Sequence, residues 1–269
     1  AHYYRQFNAD HSRGSPEASM AGWDTTQVSL PPDRTALVSM HAWEFGPPEE
    51  YPGLYRAVGY PKRAQRILDS VYPRLLNAAR DGGMHVLHVV GGGDYYSHLP
   101  GYQSAVELAG EAPESPPVAP EDPVAEQLRE FRRNNVFPGR HNAAACDRAH
   151  QNTRFPPGAA PRENEPVAEN AHQLNAVCRE RGASHLVYIG FAINWCLLMS
   201  PGGMLDMSRR GYLCSTVRQA TSAVENRESA EEELCKEIAL WRVALAFGFV
   251  FDADDLVGAL KNRANKPQQ

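Results

Sequence analysis

Five short apolar runs of strand length recur along the chain, and longer stretches with helical periodicity separate them. Each run is continuous rather than alternating, which is typical of strands that are covered on both faces of a sheet. The predicted strands cover residues 34–41, 84–90, 185–190, 211–217 and 249–251.

The intervening stretches repeat apolar residues at the three- and four-residue spacing of one helix face. Pro61 favours a helix start, Pro73 predicts a kink in the same helix, and Gly82-Gly83 predicts its end. The predicted helices cover residues 61–80, 124–131, 171–178, 229–245 and 254–260.

Strands that alternate with helices of this length predict βαβ units. The fold class is therefore a three-layer α/β fold, with a mostly parallel sheet and helices on both faces. We predict a single domain over residues 33–265, with a loop-rich insertion at about 91–165. Residues 1–32 are polar and aperiodic, and we interpret them as an N-terminal extension that lies on the body or on a neighbouring subunit.

Composition then narrows the functional classes. The chain has 27 Lys and Arg against 32 Asp and Glu, a formal charge of −5, so it offers no basic surface for nucleic acid. No apolar run reaches the roughly 18 to 20 residues of a membrane span. The first residues lack the apolar core of a signal peptide, so we expect a cytoplasmic protein that acts on neither membranes nor nucleic acids.

The cysteines argue against a disulfide framework. They are odd in number, widely spaced and without a CxxC pair, which also disfavours a cysteine-rich zinc site. We expect reduced thiols, most of them packed in the core. They are Cys146, Cys178, Cys196, Cys214 and Cys235.

Open parallel sheets bind ligands beyond the carboxyl ends of their strands. His41 follows the first predicted strand, and Cys196 follows the third. A thiol at a strand-to-helix turn meets unpaired N–H groups and the positive end of the helix dipole, and both favour a nucleophilic thiolate. The same N–H groups could hold an oxyanion. From position alone, a buried structural cysteine remains the alternative.

The segment His-Leu-Val-Tyr-Ile-Gly-Phe-Ala-Ile-Asn-Trp-Cys, residues 185–196, resembles the nucleophile motif of the isochorismatase-like cysteine hydrolases. The likeness extends over roughly residues 33 to 260 and implies a Rossmann-like α/β fold with Cys196 as the nucleophile. It also implies a non-proline cis peptide at Ala192–Ile193 and oxyanion donors at the amides near Ile193 and Cys196.

Three departures accompany the resemblance. The family's aspartate after the first strand is His41 here, and imidazole can also accept a thiol proton, although a merely packed histidine is the alternative. The family's lysine is missing, and the nearest cation is Arg162, which can orient a group but cannot exchange a proton. Ser200-Pro-Gly-Gly203 predicts a kink or a small loop directly after Cys196.

Weaker candidates surround this motif. Trp43 and Trp195 could stack on a planar substrate. The alternative is that they are half-buried aromatics at strand ends with no ligand role. Asp94 and His98 do not have the spacing of the family's metal-binding branch, and Gly91-Gly-Gly93 lacks the spacing of a phosphate loop. We predict neither a metal nor a cofactor.

The function predicted from these residues is hydrolysis of a C–N bond in a small amide, carbamoyl or ureido compound. Cys196 would form an acyl-enzyme, with His41 taking the thiol proton. The alternative is a catalytically degenerate relative that acts as a binding or assembly protein, which the loss of the aspartate and the lysine favours. The resemblance and the long insertion also predict a homodimer or homotetramer.

Overall fold

The computed structural model describes residues 1–6, 10, 12, 14–15, 22–114 and 116–264. It contains one eight-stranded sheet in the order β2-β1-β8-β7-β6-β3-β4-β5. The strands from β8 to β5 are parallel to their neighbours, whereas β1 pairs antiparallel with both β8 and β2. The predicted α/β fold class is therefore confirmed. The strands are β1 (His2–Arg5), β2 (Gly22–Thr25), β3 (Thr35–Met40), β4 (His85–Val89), β5 (Val167–Ala168), β6 (His185–Phe191), β7 (Leu213–Ser222) and β8 (Val250–Phe251).

Helices connect these strands and cover the sheet. None of them, within the described residues, is both long and apolar enough to cross a membrane. The helices are α1 (Pro52–Ala57), α2 (Tyr60–Ser70), α3 (Tyr72–Asp81), α4 (Pro100–Ala109), α5 (Pro123–Asn135), α6 (Ala143–Gln151), α7 (Ala171–Glu180), α8 (Cys196–Met199), α9 (Met204–Ser208), α10 (Leu234–Ala246) and α11 (Ala253–Ala264).

The core consists of two apolar layers, one on each face of the sheet. Alternate side chains of each strand enter opposite layers because successive residues point to opposite faces. Val38 of β3 packs in the layer that contains Leu174 of α7. Its neighbour Leu37 packs in the other layer, against Leu76 of α3 and Leu256 of α11. Burial on both faces explains why these strands are continuous apolar runs.

The predicted kink at Pro73 is a complete break between two helices. Helix α2 ends at Ser70, and α3 begins at Tyr72 with Pro73 in its first turn. Proline has no N–H, and the first turn of a helix is where that donor has no intrahelical acceptor. The residue therefore starts the second helix.

The described part of the N-terminal segment forms strands, which its polar and aperiodic sequence did not indicate. His2–Arg5 and Gly22–Thr25 form an antiparallel hairpin that extends the sheet beyond β8. The edge of Trp23 meets the Tyr4 ring at a centroid distance of 5.3 Å. The remaining residues of the predicted extension between 7 and 21 lie largely outside the described residues.

The insertion at about 91–165 is more regular than its sequence suggests. It contains α4 and α6 in addition to the predicted helix, which is longer than expected and is α5. A proline-rich stretch still joins α4 to α5, as the sequence indicated. Directly after the insertion, β5 forms the edge of the sheet.

Candidate functional site

The carboxyl ends of β3 and β6 lie side by side, and this places the two principal candidate residues at one edge of the sheet. Met40 is in register with Gly190. A Cβ on Gly190 would lie 1.9 Å from the Met40 carbonyl oxygen, and the φ of Gly190 is 138°. Only glycine fits this approach without a shift of the backbone. His41 continues β3 at this point, and the segment that leads to Cys196 continues β6.

The non-proline cis peptide joins Phe191 to Ala192, so the predicted position at Ala192–Ile193 is wrong by one bond. Strand β6 continues to Phe191, one residue beyond the glycine at which the sequence pattern ended it. The Ile193 N–H itself donates to the Ser222 carbonyl oxygen at 2.8 Å.

Three other amides of this segment are free. Within the described chain, the backbone N–H groups of Ala192, Asn194 and Cys196 have no hydrogen-bond acceptor. Ala192 is buried and Cys196 is half-buried. Unpaired N–H groups beside a cysteine are the donors that an oxyanion needs. The free amides of Ala192 and Cys196 are therefore the candidate oxyanion donors of this segment.

Cys196 begins α8, which consists of a single turn and ends at Met199. A loop at Ser200–Gly203 separates it from α9, as the proline and glycines predicted. A helix of one turn aligns few peptide dipoles, so its macrodipole contributes little at Cys196. The local N–H groups therefore remain the main electrostatic feature of this thiol's surroundings.

Side-chain hydrogen bonds fix the loop that carries Cys196. The Asn194 side chain donates to the Val224 carbonyl oxygen at 2.8 Å and accepts from the Val224 N–H at 2.9 Å. On the other side of α8, the buried Tyr188 hydroxyl donates to the Gly202 carbonyl oxygen at 2.8 Å. One end of the segment is thus attached to the chain just after β7, and the other end is attached to β6.

His41 is buried at the end of β3 in a left-handed backbone conformation, with φ of 52°. Its N–H donates to the Val89 carbonyl oxygen at 2.9 Å, which ties it to β4. Burial lowers the pKa of its imidazole to about 4, and the Val90 carbonyl only partly offsets this effect. The buried Nδ1 has no hydrogen-bond partner among the described residues.

Trp43 covers His41. Their rings stack with centroids 4.4 Å apart and planes 12° apart. The indole Nε1–H donates to the Tyr95 hydroxyl at 2.8 Å, which holds the ring in this position. Trp195, the other predicted stacking residue, is 52% exposed.

The cavity at this position is small. Its volume is about 10 Å³, which is room for one water molecule. Glu44 is the one charged side chain in the lining, and no lysine or arginine of the described chain lines the cavity. The aromatic side chains in its lining are those of His41, Trp43, Phe45, Tyr55, Tyr60 and Phe191.

Tyr60 is a site residue that the sequence analysis missed. It lies at the start of α2 and lines the cavity. Burial raises the pKa of its phenol, and negative charge on Cys196 and on Cys146 acts in the same direction. Tyr60 therefore belongs to the wall of the His41 cavity. The available signal was its position directly before Pro61, the residue that favours a helix start.

Arg162 does not join the site. It is exposed, and its guanidinium donates to the Asn77 side chain on α3 at 2.8 Å. No described contact connects it to Cys196 or His41. Glu169, which directly follows β5, accepts a hydrogen bond from the Tyr96 hydroxyl at 3.0 Å. A carboxylate, rather than a cation, thus stands at the end of this edge strand.

The strongest electrostatic cluster lies beneath the insertion and was also missed. The Glu165 carboxylate accepts from Arg80 at 2.6 and 2.8 Å and lies 3.0 Å from the Nε2 atom of buried His88. Hydrogen bonds from both partners lower the pKa of Glu165 to about 2 despite its partial burial. The cluster attaches the end of the insertion to β4.

The structure does not bring the weaker metal candidates together. Asp94 and His98 are both exposed. Among the described residues, no group of three or more His, Cys, Asp or Glu side chains could hold a metal ion.

Comparison with known proteins gives matches in structure alone. No family model matches the sequence, and no curated protein matches it. A cysteine hydrolase structure from Pseudomonas syringae pv. phaseolicola 1448A is 16% identical with a TM-score of 0.53, over 88% of this chain and 97% of that chain.

Two further structures have lower TM-scores. An isochorismatase family protein from Burkholderia thailandensis is 18% identical, with a TM-score of 0.47 over 87% of this chain and 98% of that one. Another isochorismatase family protein, from Desulfovibrio vulgaris subsp. vulgaris str. Hildenborough, is 18% identical, with a TM-score of 0.46 over 85% of this chain and 98% of that chain. The chain has the isochorismatase-like fold that its cysteine segment predicted.

Proposed function

We propose that this chain is a cysteine hydrolase that cleaves a C–N bond in a small, uncharged amide, carbamoyl or ureido compound. The observation that carries the proposal is the half-buried Cys196 with the unpaired N–H groups of Ala192 and Cys196 beside it. Cys196 does not line the small cavity beside His41, but the described lining of that cavity has one carboxylate and no lysine or arginine, so it offers no cation to an anionic compound.

In the proposed reaction, the Cys196 sulfur attacks the carbonyl carbon and its proton passes to Nδ1 of His41. The carbonyl oxygen becomes an oxyanion that accepts hydrogen bonds from the Ala192 and Cys196 amides. The C–N bond then breaks, and the leaving nitrogen takes the proton from His41. Water attacks the resulting thioester, and the acid product leaves with the thiol restored.

The orientation of His41 supports the use of Nδ1. Its Nε2 lies near Gly91, at 3.2 Å from a Cβ placed on that glycine, and its buried Nδ1 has no hydrogen-bond partner among the described residues. A pKa of about 4 makes His41 a weak base at neutral pH. Proton transfer to it therefore depends on the negative charge that develops on the substrate during the attack.

The alternative function is binding without turnover. Two observations favour it: Trp43 occupies the space over His41, and the cavity beneath it holds about 10 Å³. A binding protein of this kind would keep the fold and the thiol but would form no acyl intermediate.

The deciding experiment is intact-mass measurement after a pulse with neutral amide, carbamoyl and ureido compounds. Wild type is compared with Cys196→Ser and with Cys235→Ser, which removes the other half-buried thiol. An acyl adduct that forms in wild type and Cys235→Ser, and disappears in Cys196→Ser, supports the hydrolase.

Iodoacetamide provides the second measurement on the same three proteins. Preferential alkylation of Cys196 without an adduct or turnover from any compound favours the binding protein. Equal alkylation of wild type and Cys196→Ser would remove the special role of this thiol altogether.

A further inference from the structure

Helix α5 carries an apolar stripe that the described chain leaves uncovered. Val124, Leu128 and Phe131 are 62%, 61% and 63% exposed. Their spacing of four and three residues places them on one face of the helix. Val136 and Phe137, directly after the helix, are also exposed.

The helix projects from the body of the protein. None of its residues is buried, and it makes no substantial contact with another described helix or strand. Helices of this length depend on packing of an apolar face rather than on intrinsic propensity. A single large exposed residue needs no explanation, but an aligned stripe of three is typical of an interaction surface.

The distribution of charge along α5 indicates what covers the stripe. Glu121 at the start of the segment and Arg132 at its end flank the stripe, whereas Asp122 caps the helix and Arg133 pairs with Glu126 on the outer side. If two copies of the helix lie antiparallel, the acidic start of each faces the basic end of the other. The two helix dipoles then point in opposite directions, which is the favourable arrangement. A parallel pair would place like charges together.

We propose that α5 is a self-association surface, at which two copies of this chain pair their α5 helices antiparallel through the Val124–Leu128–Phe131 stripe. Leu128 lies near the two-fold axis, and Val124 of each copy lies near the partner's Phe131. The Glu126 ion pairs with Arg129 and Arg133 lie on the outer side of each helix, away from the contact. This inference does not depend on the proposed hydrolase activity.

The size of the surface sets the expected strength. A pair of helices this short buries less than the roughly 1,200 Å² of a standard stable interface. The dimer should therefore depend on concentration, and because opposite charges guide it, salt should weaken it.

Sedimentation velocity on the full chain tests the proposal, over roughly 1 to 100 µM, a range that spans micromolar dissociation constants. Wild type should shift from monomer to dimer as concentration rises. Leu128→Glu with Phe131→Glu should abolish the shift, whereas Arg129→Glu, on the outer face, should retain it. A wild-type monomer throughout, or a double variant that still associates, would overturn the proposal.

Disulfide trapping tests the orientation without a change of charge. Val124→Cys and Phe131→Cys chains, carrying tags of different mass, are oxidised separately and as a mixture, with wild type as the control for the native thiols. Antiparallel pairing predicts a mixed dimer that is at least tenfold more abundant than either self-linked dimer. Self-linked dimers as abundant as the mixed one, or no trapping above wild type, would contradict it.

Discussion

The two halves of the candidate site differ in how open they are. On the cysteine side, Cys196 is half-buried, amides beside it are unpaired, and hydrogen bonds between Asn194 and Val224 fix the loop. On the histidine side, His41 is buried under Trp43 with room for about one water. One half has the features of a reaction site, and the other is packed like a core.

This contrast shows that the backbone that positions the cysteine loop is independent of the side chain that follows β3. The close approach of Gly190 to Met40 depends on the backbone, and it positions the cysteine loop whatever residue follows β3. Because the sheet does not require a charge at position 41, a buried neutral histidine can occupy it and pack against Trp43.

Gly190→Ala should destabilise the protein by roughly 4 kcal/mol in urea unfolding, because a new methyl group would overlap the Met40 carbonyl and separate β3 from β6. Gly258→Ala, in α11 with no neighbour within 4 Å, is the control and should stabilise by about 1 kcal/mol. Equal stabilities for Gly190→Ala and wild type would show that the cysteine side does not depend on this close approach.

Lowering the pH should destabilise the protein through the histidine side. His41 has a pKa of about 4 in the fold, below its ordinary 6.5, so the unfolded chain binds the proton first. The stability that comes from neutral His41 is present above pH 6.5 and is lost between about 6.5 and 4, a loss of about 3 kcal/mol.

His41→Asn isolates that contribution, and asparagine also tolerates a left-handed backbone. Part of the dependence of stability on pH should remain in this variant, because His185 also has a pKa of about 4. The measurement is the urea midpoint against pH for both proteins. A slope unchanged by the substitution would show that His41 is not held neutral by burial.

Trp43→Ala should open the histidine side. We expect a loss of about 2 kcal/mol in stability, below the value for a fully buried tryptophan, and a several-fold faster alkylation of Cys196 by iodoacetamide. Trp195→Ala removes an exposed ring next to the same cysteine and should change stability by less than about 0.5 kcal/mol. If the two variants alkylate alike, Trp43 does not limit access.

Arg162→Ala should have the smallest effect. The side chain is exposed and bonds to Asn77, so we expect a change within about 0.5 kcal/mol and no change in the alkylation rate of Cys196. A slower alkylation of this variant would place Arg162 in the site after all.

The parts of the fold that the sequence predicts are those buried on both faces. Strands β3, β4 and β6 are continuous apolar runs, and their positions followed from that pattern. The β1–β2 hairpin was missed because each strand is short and partly exposed, so its residues carry no regular apolar period.

The same distinction applies to the site. The position of Cys196 after a strand is local information, and the sequence contains it. The stack of Trp43 on His41 depends on a hydrogen bond to Tyr95, which lies 52 residues further along the chain. The position of Tyr60 in the cavity wall likewise depends on residues distant in the sequence, such as Phe191. Such contacts are long-range, and a single sequence does not specify them.

The β1–β2 hairpin has a consequence for how the chain reaches its native state. His2 of β1 pairs with Val250 of β8 and bonds to Asp252, 250 residues away. Contacts between such distant segments form slowly, because a long loop must close before they stabilise anything. Until then, β8 offers an unpaired edge to other chains. Pairing of β1 with β8 therefore also covers an edge that could otherwise pair with another chain.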